Sequence, residues 1–356
     1  MPYERRRKAL QSTLESGEAF LVSSLDNIRY LSGFTGSSAL LLLTPGEELF
    51  LTDFRYLTQV EEEVKSLPRL IYKRQLSELA QAVRSFGARR LKFEAGHLSY
   101  QIYESLAKEL ERFPLVPTRE VVEELRHIKD SEELSAMRRA IEIAVQAWEE
   151  TVGFIAEGAS EREVALELEF QLKGLGSERT PFDLIVASGP RGALPHAQAS
   201  DKVIRRGELV TVDFGACADG YFSDLTRTVP VGAVEEKLIE VYEVVLRANR
   251  AGIEAVRPGV KAGEIDDAAR SVIQEAGYGE NFGHGTGHGL GLEVHEPLRI
   301  AEGQERELEP GMVFTVEPGI YLPGIGGVRI EDMTLVTPKG VEILTAAISK
   351  DLVAIA

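Results

Sequence analysis

Three of the six histidines of the chain lie within twelve residues of one another, in a stretch that is rich in glycine. They are His284, His288 and His295, in the segment Gly-His-Gly-Thr-Gly-His-Gly-Leu-Gly-Leu-Glu-Val-His. Because glycine has no side chain, the backbone of this segment can come close to a neighbouring group. Imidazole is both a metal ligand and an acid–base group near neutral pH. The cluster therefore indicates a chemical site in a glycine-rich loop, with metal binding and proton transfer as candidate functions.

Four carboxylates are embedded in apolar, strand-like sequence, where an acid without a partner is costly. They are Asp213, Asp224, Glu317 and Glu331. Together with one imidazole they form a hard, oxygen-rich donor set, which suits two divalent ions such as manganese or cobalt better than a four-coordinate structural zinc. Two adjacent ions are typical of hydrolytic enzymes, because they lower the pKa of water and polarise a carbonyl group. Taken alone, Asp213 is equally consistent with a residue that ends a strand or caps a helix.

A weak internal repeat indicates how distant segments bring these acids together. Residues 157–176 match residues 258–277 at an offset of 101, and each copy predicts a turn followed by an amphipathic helix. Residues 206–215 match residues 310–319 at an offset of 104, and each copy predicts a tight turn and an apolar strand that ends in a carboxylate. Two duplicated halves would place Asp213 and Glu317 on facing strands across a pseudo-twofold axis.

The first part of the chain alternates strand-like and helix-like segments, which predicts a small α/β domain over residues 1–125. A boundary is predicted within residues 114–126, where the sequence Pro-Leu-Val-Pro-Thr interrupts the pattern. A long amphipathic helix is predicted to begin at Asp130 or Ser131, because apolar residues recur from there at intervals of three and four. Residues 126–356 would form the second, catalytic domain.

The length and composition favour a soluble protein with two domains. The chain has 356 residues, of which 44% are hydrophobic and 27% charged, and a net charge of -17. The acidic balance argues against nucleic acid as a partner. No apolar run is long enough for a membrane span, and the start of the chain does not resemble a signal peptide. The single cysteine, Cys217, agrees with a reducing compartment, so we expect a cytoplasmic protein without a membrane partner.

The sequence does not contain the motifs of several other classes of enzyme. The glycine-rich segment contains no G-x-G-x-x-G, and neither a P-loop nor a G-x-S-x-G elbow occurs in the chain. The sequence His295-Glu-Pro-Leu-Arg does not match H-E-x-x-H, because Arg299 replaces the second histidine and Pro297 would break the required helix. Nucleotide-dependent chemistry and a serine nucleophile are therefore not supported.

At these residues the sequence resembles the metallopeptidases of the pita-bread fold, which include methionine aminopeptidase, aminopeptidase P and prolidase. The resemblance spans the chain and implies an α/β N-terminal domain followed by an α+β catalytic domain with an internal pseudo-twofold duplication. It implies that Asp213 holds one metal ion, that His288 and Glu317 hold the other, and that Asp224 and Glu331 bridge the two. Manganese or cobalt is expected, while zinc and iron stay open.

The resemblance also assigns roles beyond the metal ligands. Glu317 would act as general base and then acid, and His196 and His295 would stabilise the oxyanion at the scissile carbonyl. Three further residues would bind substrate or orient the ligands: His284, Tyr321 and Arg329. Two structural alternatives stay open, since His196 is also consistent with an ordinary surface histidine and Arg329 with an ion-pair partner in the core. His97 and His127 lie outside the motif and are expected to be structural.

The N-terminal domain favours proline specificity, because the resembling methionine aminopeptidases typically lack it. In the proline-directed relatives this domain helps to close the active site, often across a homodimer interface, and limits substrate length. The compact spacing between the ligands favours a prolidase, which cleaves Xaa-Pro dipeptides, over an aminopeptidase P that acts on longer peptides. The alternative from another class is a creatinase-like enzyme without metal, or a binding protein that has lost catalysis. Because all five ligand positions are filled, the peptidase is the favoured reading.

Overall fold

The chain divides into two compact units, Met1–Arg126 and His127–Ala356, in a computed structural model that describes residues 2–352. The helices and strands of the first unit are, in chain order, α1 (Pro2–Gln11), β1 (Glu18–Val22), α2 (Leu25–Ser32), β2 (Ala39–Leu43), β3 (Glu48–Asp53), α3 (Leu57–Glu63), β4 (Arg69–Tyr72), α4 (Gln75–Ser85), β5 (Arg90–Glu94), α5 (Tyr100–Leu110), β6 (Leu115–Thr118) and α6 (Val121–Arg126).

The strands of the first unit form a mixed sheet in the order β4-β3-β2-β1-β5-β6. The pairs β3–β4, β1–β5 and β5–β6 are parallel, and β2 is antiparallel to both of its neighbours. Leucines and alanines of the central strands and of α4 and α5 form the core of this unit. The alternation of strand and helix predicted from the sequence is confirmed here.

The sequence Pro-Leu-Val-Pro-Thr does not simply interrupt the pattern as predicted. It forms β6, and Pro117 pairs with Phe93 on the neighbouring strand. Proline is tolerated there because β6 lies at the edge of the sheet, where the missing N–H need not serve a further strand. The chain leaves this unit only after α6.

The second unit begins with the long predicted helix. Its elements are α7 (Ser131–Thr151), α8 (Glu161–Gly174), β7 (Ile185–Ser188), β8 (Leu209–Phe214), β9 (Cys217–Ala218), β10 (Tyr221–Phe222), β11 (Leu225–Pro230), α9 (Glu236–Ala255), α10 (Ala262–Glu275), β12 (Gly287–Gly289), β13 (Glu296–Ile300), β14 (Val313–Val316), β15 (Gly319–Leu322), β16 (Gly326–Arg329), β17 (Asp332–Thr337) and β18 (Gly340–Ile343).

Two antiparallel sheets of the second unit carry the predicted metal ligands in their strands or directly beside them. One has the order β11-β8-β7, and the other has the order β13-β12-β14-β17-β18. Helices α7 and α8 pack against the first sheet, where three fully buried alanines of α7 permit close contact and Trp148 stacks on Phe214 with ring centroids 5.4 Å apart. Helices α9 and α10 pack against the second half of the unit.

The predicted internal repeat is visible in matching elements. Helices α8 and α10 begin 101 residues apart. Glu163 caps the start of α8 and Glu264 caps the start of α10, because each carboxylate accepts a hydrogen bond from the backbone N–H three residues earlier. The turns before β8 and β14 contain Gly207 and Gly311, whose φ angles of 89° and 97° explain why both copies have glycine. The two halves therefore repeat one helix and one strand.

The start of α7 is fixed by Asp130, whose carboxylate caps the helix and forms a capping box with Glu133. This confirms the predicted start at Asp130 or Ser131. Within residues 2–352, no helix combines the length and the apolar character that crossing a lipid bilayer requires.

Candidate metal centre

The four predicted carboxylates lie at or next to strand ends of the second unit. Asp213 is the penultimate residue of β8, and Asp224 directly precedes β11. Glu317 directly follows β14, and Glu331 directly precedes β17. Because β8 pairs with β11 and β14 pairs with β17, each pair of strands delivers two carboxylates to the same place.

His288 joins these acids from β12. The glycine-rich segment was predicted as a loop, but Gly287 to Gly289 form a short strand between β13 and β14. Gly287 makes this possible, because a Cβ at this position would lie 1.9 Å from the Thr315 carbonyl oxygen. Glycine therefore serves strand pairing at the site as well as close approach.

The imidazole of His288 faces two of the carboxylates. Its Nε2 lies 3.6 Å from Asp224 Oδ2 and 3.5 Å from Glu317 Oε1. Its Nδ1–H donates to the Gly289 carbonyl at 3.1 Å, which leaves the lone pair on Nε2. Ligand atoms at about 2.1 Å from one ion stand about 3 to 3.5 Å apart, so these separations suit a shared cation better than a direct hydrogen bond.

Three side chains bring possible metal-ligand atoms close together around His288 Nε2. One ligand atom each from Asp224, His288 and Glu331 lies within 4.8 Å of the other two. Asp224 and Glu331 are 4% and 2% exposed, so bulk solvent reaches little of either acid. The Oε2 of Glu331 accepts a hydrogen bond from the Thr226 hydroxyl at 2.7 Å, which holds one of its oxygens in place.

The two carboxylate oxygens of Asp213 differ in their hydrogen bonding among the described residues. Its Oδ2 accepts a hydrogen bond from the Arg329 guanidinium at 2.6 Å. Its Oδ1 is buried, and no hydrogen-bond donor reaches it among the residues that the structure describes. A buried carboxylate oxygen without a donor is costly unless a cation binds it. This oxygen therefore has the chemistry expected of a metal ligand.

The four carboxyl groups of the centre have raised pKa values, and a bound cation would stabilise their ionised forms. Burial raises the pKa of the Glu317 carboxyl to about 8. The pKa values of Asp224 and Glu331 lie well above their usual range, because burial and the neighbouring carboxylates both disfavour ionisation. Burial also raises the pKa of Asp213. Divalent cations would reverse these shifts, so four oxygen donors and one imidazole nitrogen fit a pair of such ions.

His284, Tyr321 and Arg329 form a chain of hydrogen bonds beside the carboxylates. Arg329 donates to the Tyr321 hydroxyl oxygen at 3.2 Å, and this hydroxyl lies 2.9 Å from His284 Nε2. The Nδ1–H of His284 donates to the Gly285 carbonyl at 2.7 Å, so Nε2 accepts from the tyrosine. Burial lowers the pKa of His284 to about 4, which keeps the ring neutral. Arg329 also donates to the carbonyl of Pro195 and thereby holds the segment that carries His196.

All ten side chains predicted from the sequence line one cavity of about 530 Å³ in the second unit. His196 and His295 are exposed to it, and the His295 ring lies 4.3 Å from that of His288. His97 and His127 do not line this cavity, and Cys217 is buried, as expected from the sequence. The roles assigned to the ten residues stay predictions.

Arg299 also lines the cavity, although the sequence did not predict it as a site residue. Arg299 is exposed on the cavity wall, and no group within residues 2–352 forms a hydrogen bond or ion pair with its guanidinium. It is paired with His288 across β12 and β13. A signal was present, since His295 and Arg299 are four residues apart in a strand-like segment and alternate positions of a strand share a face.

The chain matches two protein families. Residues 135–338 match Metallopeptidase family M24, and residues 6–128 match the Creatinase/Prolidase N-terminal domain. The Xaa-Pro dipeptidase of Pyrococcus horikoshii is 41% identical over 330 residues, which cover 92% of each chain. An Xaa-Pro dipeptidase structure from Bacillus anthracis is similar with a TM-score of 0.96, at 41% identity and 99% coverage of both chains.

An X-Pro aminopeptidase structure from Thermotoga maritima is also similar, with a TM-score of 0.90 at 35% identity, covering 97% of this chain and 99% of that chain. The fold class and the family resemblance predicted from the sequence are confirmed by these matches, and so is the assignment as a peptidase that depends on divalent metal. On these grounds the chain belongs to metallopeptidase family M24.

Proposed function

We propose that this enzyme hydrolyses the bond between an amino-terminal residue and proline, and that its substrates are Xaa-Pro dipeptides. The observation that carries the proposal is the meeting of the five proposed metal ligands in one cavity, where the buried Asp213 Oδ1 has no hydrogen-bond donor within residues 2–352. The similarity to proteins named Xaa-Pro dipeptidase supports the substrate class.

The proposed ligands hold two divalent ions. They are Asp213, Asp224, His288, Glu317 and Glu331. Manganese or cobalt is our first choice, because four carboxylates and one imidazole make a hard donor set, while zinc and iron also bind such ligands. When bound, the ions supply a water molecule of lowered pKa and polarise the scissile carbonyl.

The remaining chemistry belongs to side chains of this chain. Glu317 takes a proton from the attacking water and passes it to the proline nitrogen as the peptide bond breaks. His196 and His295 donate hydrogen bonds to the carbonyl oxygen as it gains negative charge. Both are exposed to the cavity, so a bound peptide can reach them. His284 lines the pocket for the residue after the cut. Tyr321 and Arg329 orient the groups around it, since Tyr321 donates to His284 and Arg329 donates to Tyr321 and to Asp213.

Arg299 favours a dipeptide over a longer peptide. In an Xaa-Pro dipeptide, the proline carboxylate lies only a few bonds from the scissile amide, whereas a longer peptide has a neutral amide there. The Arg299 guanidinium has no partner in the described part of the chain, so it is suited to bind that carboxylate by charge-assisted hydrogen bonds. We propose that Arg299 selects the free carboxyl terminus.

The roles of the N-terminal domain and the assembly are part of the same proposal. Residues 1–125 would limit substrate length and contribute to a homodimer, as the family resemblance implies. We propose a cytoplasmic location, in agreement with the single cysteine. Light scattering of the purified protein tests the dimer, since a molecular mass near the 39.2 kDa of one chain would contradict it.

The decisive assay compares an Xaa-Pro dipeptide with the tripeptide Xaa-Pro-Yaa, each with manganese and with cobalt. We expect the dipeptide to be cleaved with the higher kcat/KM, and chelation to abolish both activities. Preferential cleavage of the tripeptide would identify an aminopeptidase P instead. Equal activity of the metal-free enzyme would contradict the metallopeptidase mechanism.

A further inference from the structure

Helix α9 contacts the back of the metal centre through one buried amide. Asn249 has no exposed surface, and its Nδ2 donates to the carbonyl oxygens of Val316 at 3.0 Å and Ile330 at 3.3 Å. Each of these residues immediately precedes a proposed ligand, Glu317 or Glu331. One side chain thus ties together the two backbone segments from which two of the five donors project.

The two carbonyls lie where the ladder between β14 and β17 ends. The last pair of that ladder is Val316 with Asp332, and beyond it the two segments carry their glutamates into the cavity. Backbone carbonyls buried at the end of a ladder need another donor, and the two N–H groups of a primary amide can serve both. Gly252 lies on the same face of α9, and a Cβ there would be 3.0 Å from Val316 Cγ1, so glycine permits the close approach.

Lys350 determines which way the Asn249 amide points. Its ammonium donates to Asn249 Oδ1 at 2.9 Å and to Asp332 Oδ2 at 2.7 Å. An ammonium group can only donate, so it selects the amide oxygen and turns the amide nitrogen toward the two carbonyls. The carbonyl of Lys350 accepts a hydrogen bond from Tyr242 at 2.9 Å, which holds this part of the chain against α9.

The same buried network reaches Glu331 from the other side. Arg227 donates to Asp332 Oδ1 at 2.9 Å and to the Glu331 carbonyl at 2.5 Å. Arg227 and Asp332 are almost completely buried. The network therefore places two cationic groups and one carboxylate beneath a centre of four carboxylates, so its net charge complements that of the centre.

We infer that Asn249 and Lys350 are positioning residues of the metal centre. Lys350 orients the amide of Asn249, and the amide fixes the backbone before Glu317 and Glu331 so that their carboxylates meet the ions. This inference rests on the proposed dinuclear function. Groups that hold metal ligands in place typically contribute about 10- to 100-fold to metal affinity.

The test titrates metal-free protein with Co²⁺ in the absence of substrate, by calorimetry and by the visible absorption of bound cobalt. K350M removes the donor to the amide, and K350R restores a donor. N249D keeps the shape of the side chain and its contact with Lys350 but replaces the N–H donors by an acceptor. K202M is the matched control, because Lys202 is a similarly buried ion-pair partner of Glu208 that contacts none of the five donors.

We expect K350M and N249D to weaken Co²⁺ binding about tenfold or more and to change the cobalt spectrum. K350R should recover most of the affinity, and K202M should match wild type even if its melting temperature falls. Wild-type affinity and an unchanged spectrum in K350M would overturn the inference, and this result decides the matter if N249D does not fold. If the wild-type protein binds no cobalt, the proposed function itself is contradicted. If the wild-type protein binds two cobalt ions and K350M and N249D bind them equally well, only the inference about Asn249 and Lys350 is contradicted.

Discussion

Replacing Asp224 by asparagine should change stability in opposite directions with and without metal. Asp224 is buried beside Glu331, Asp213 and Glu317, and burial together with these neighbouring charges raises its pKa well above the usual range. In the metal-free chain this carboxylate is a cost, because each ionised neighbour repels it. In the metal-bound chain it is a ligand, so its removal should abolish both binding and turnover.

The expected magnitudes follow from the charges. Two like charges about 4 Å apart repel by about 4 kcal/mol at an effective dielectric constant near 20. The cluster relieves part of this repulsion by holding protons, so we expect D224N to stabilise the metal-free chain by about 1 to 2 kcal/mol, or about 2 to 8 °C in Tm. Metal at 100 times its Kd stabilises wild type by about 2.7 kcal/mol per site, or about 5 to 11 °C, and D224N should lose this gain.

The assay is thermal unfolding of wild type and D224N in chelator and in excess manganese, with turnover of an Xaa-Pro dipeptide measured in parallel. D219N serves as control, because Asp219 is an exposed carboxylate in the turn between β9 and β10 whose positive φ angle asparagine tolerates. D219N should respond to manganese like wild type. A lower Tm of D224N in chelator together with a wild-type response to manganese would refute the electrostatic reasoning.

Three further predictions concern single groups of the site. In chelator, the free energy of unfolding should fall as pH rises from about 5 to about 8. The pKa of Glu317 is about 8 in the folded chain and 4.5 for an ordinary Glu, so between these values the folded chain binds more protons than the unfolded chain. Saturating manganese should remove this slope, and a flat metal-free profile of Tm against pH would contradict the assignment. H295A should lower kcat by about 10²- to 10³-fold with both ions still bound, whereas parallel loss of metal in elemental analysis would argue against an oxyanion role. R299Q should raise KM for an Xaa-Pro dipeptide about 10- to 100-fold but not for the corresponding Xaa-Pro amide, and equal effects on both would exclude carboxylate recognition.

Much of the fold was predictable because local patterns and tertiary structure agree. The apolar stripe and the acidic cap of α7 define a helix before any contact is known, and Asp130 begins it as expected. The internal repeat predicted α8 and α10 from one pattern. The role of Pro117 was not predictable in the same way, because a proline can join a strand only at an edge, and edge position is a property of the finished sheet.

Site residues could be predicted where the residue type itself indicates metal binding or catalysis. They could not be predicted where an ordinary residue matters only because the fold places it beside the cavity. Acids at the ends of apolar strands and a histidine among glycines stand out in the sequence. Asn249 and Arg299 do not, since an asparagine within a helix and an arginine in a strand are ordinary until the register brings them to the cavity. The strand that carries His288 was missed because glycine weakens the strand signal, although close packing against Thr315 is what requires it.

The central claim is that five side chains from separate segments hold two ions in one cavity. Anomalous diffraction from crystals grown with manganese tests it most directly. We predict two peaks about 3.5 to 4 Å apart, bounded by the carboxylates of Asp213, Asp224, Glu317 and Glu331 and the imidazole of His288. Manganese peaks absent from this cavity, or a single ion that leaves Asp213 Oδ1 without a partner, would contradict the account.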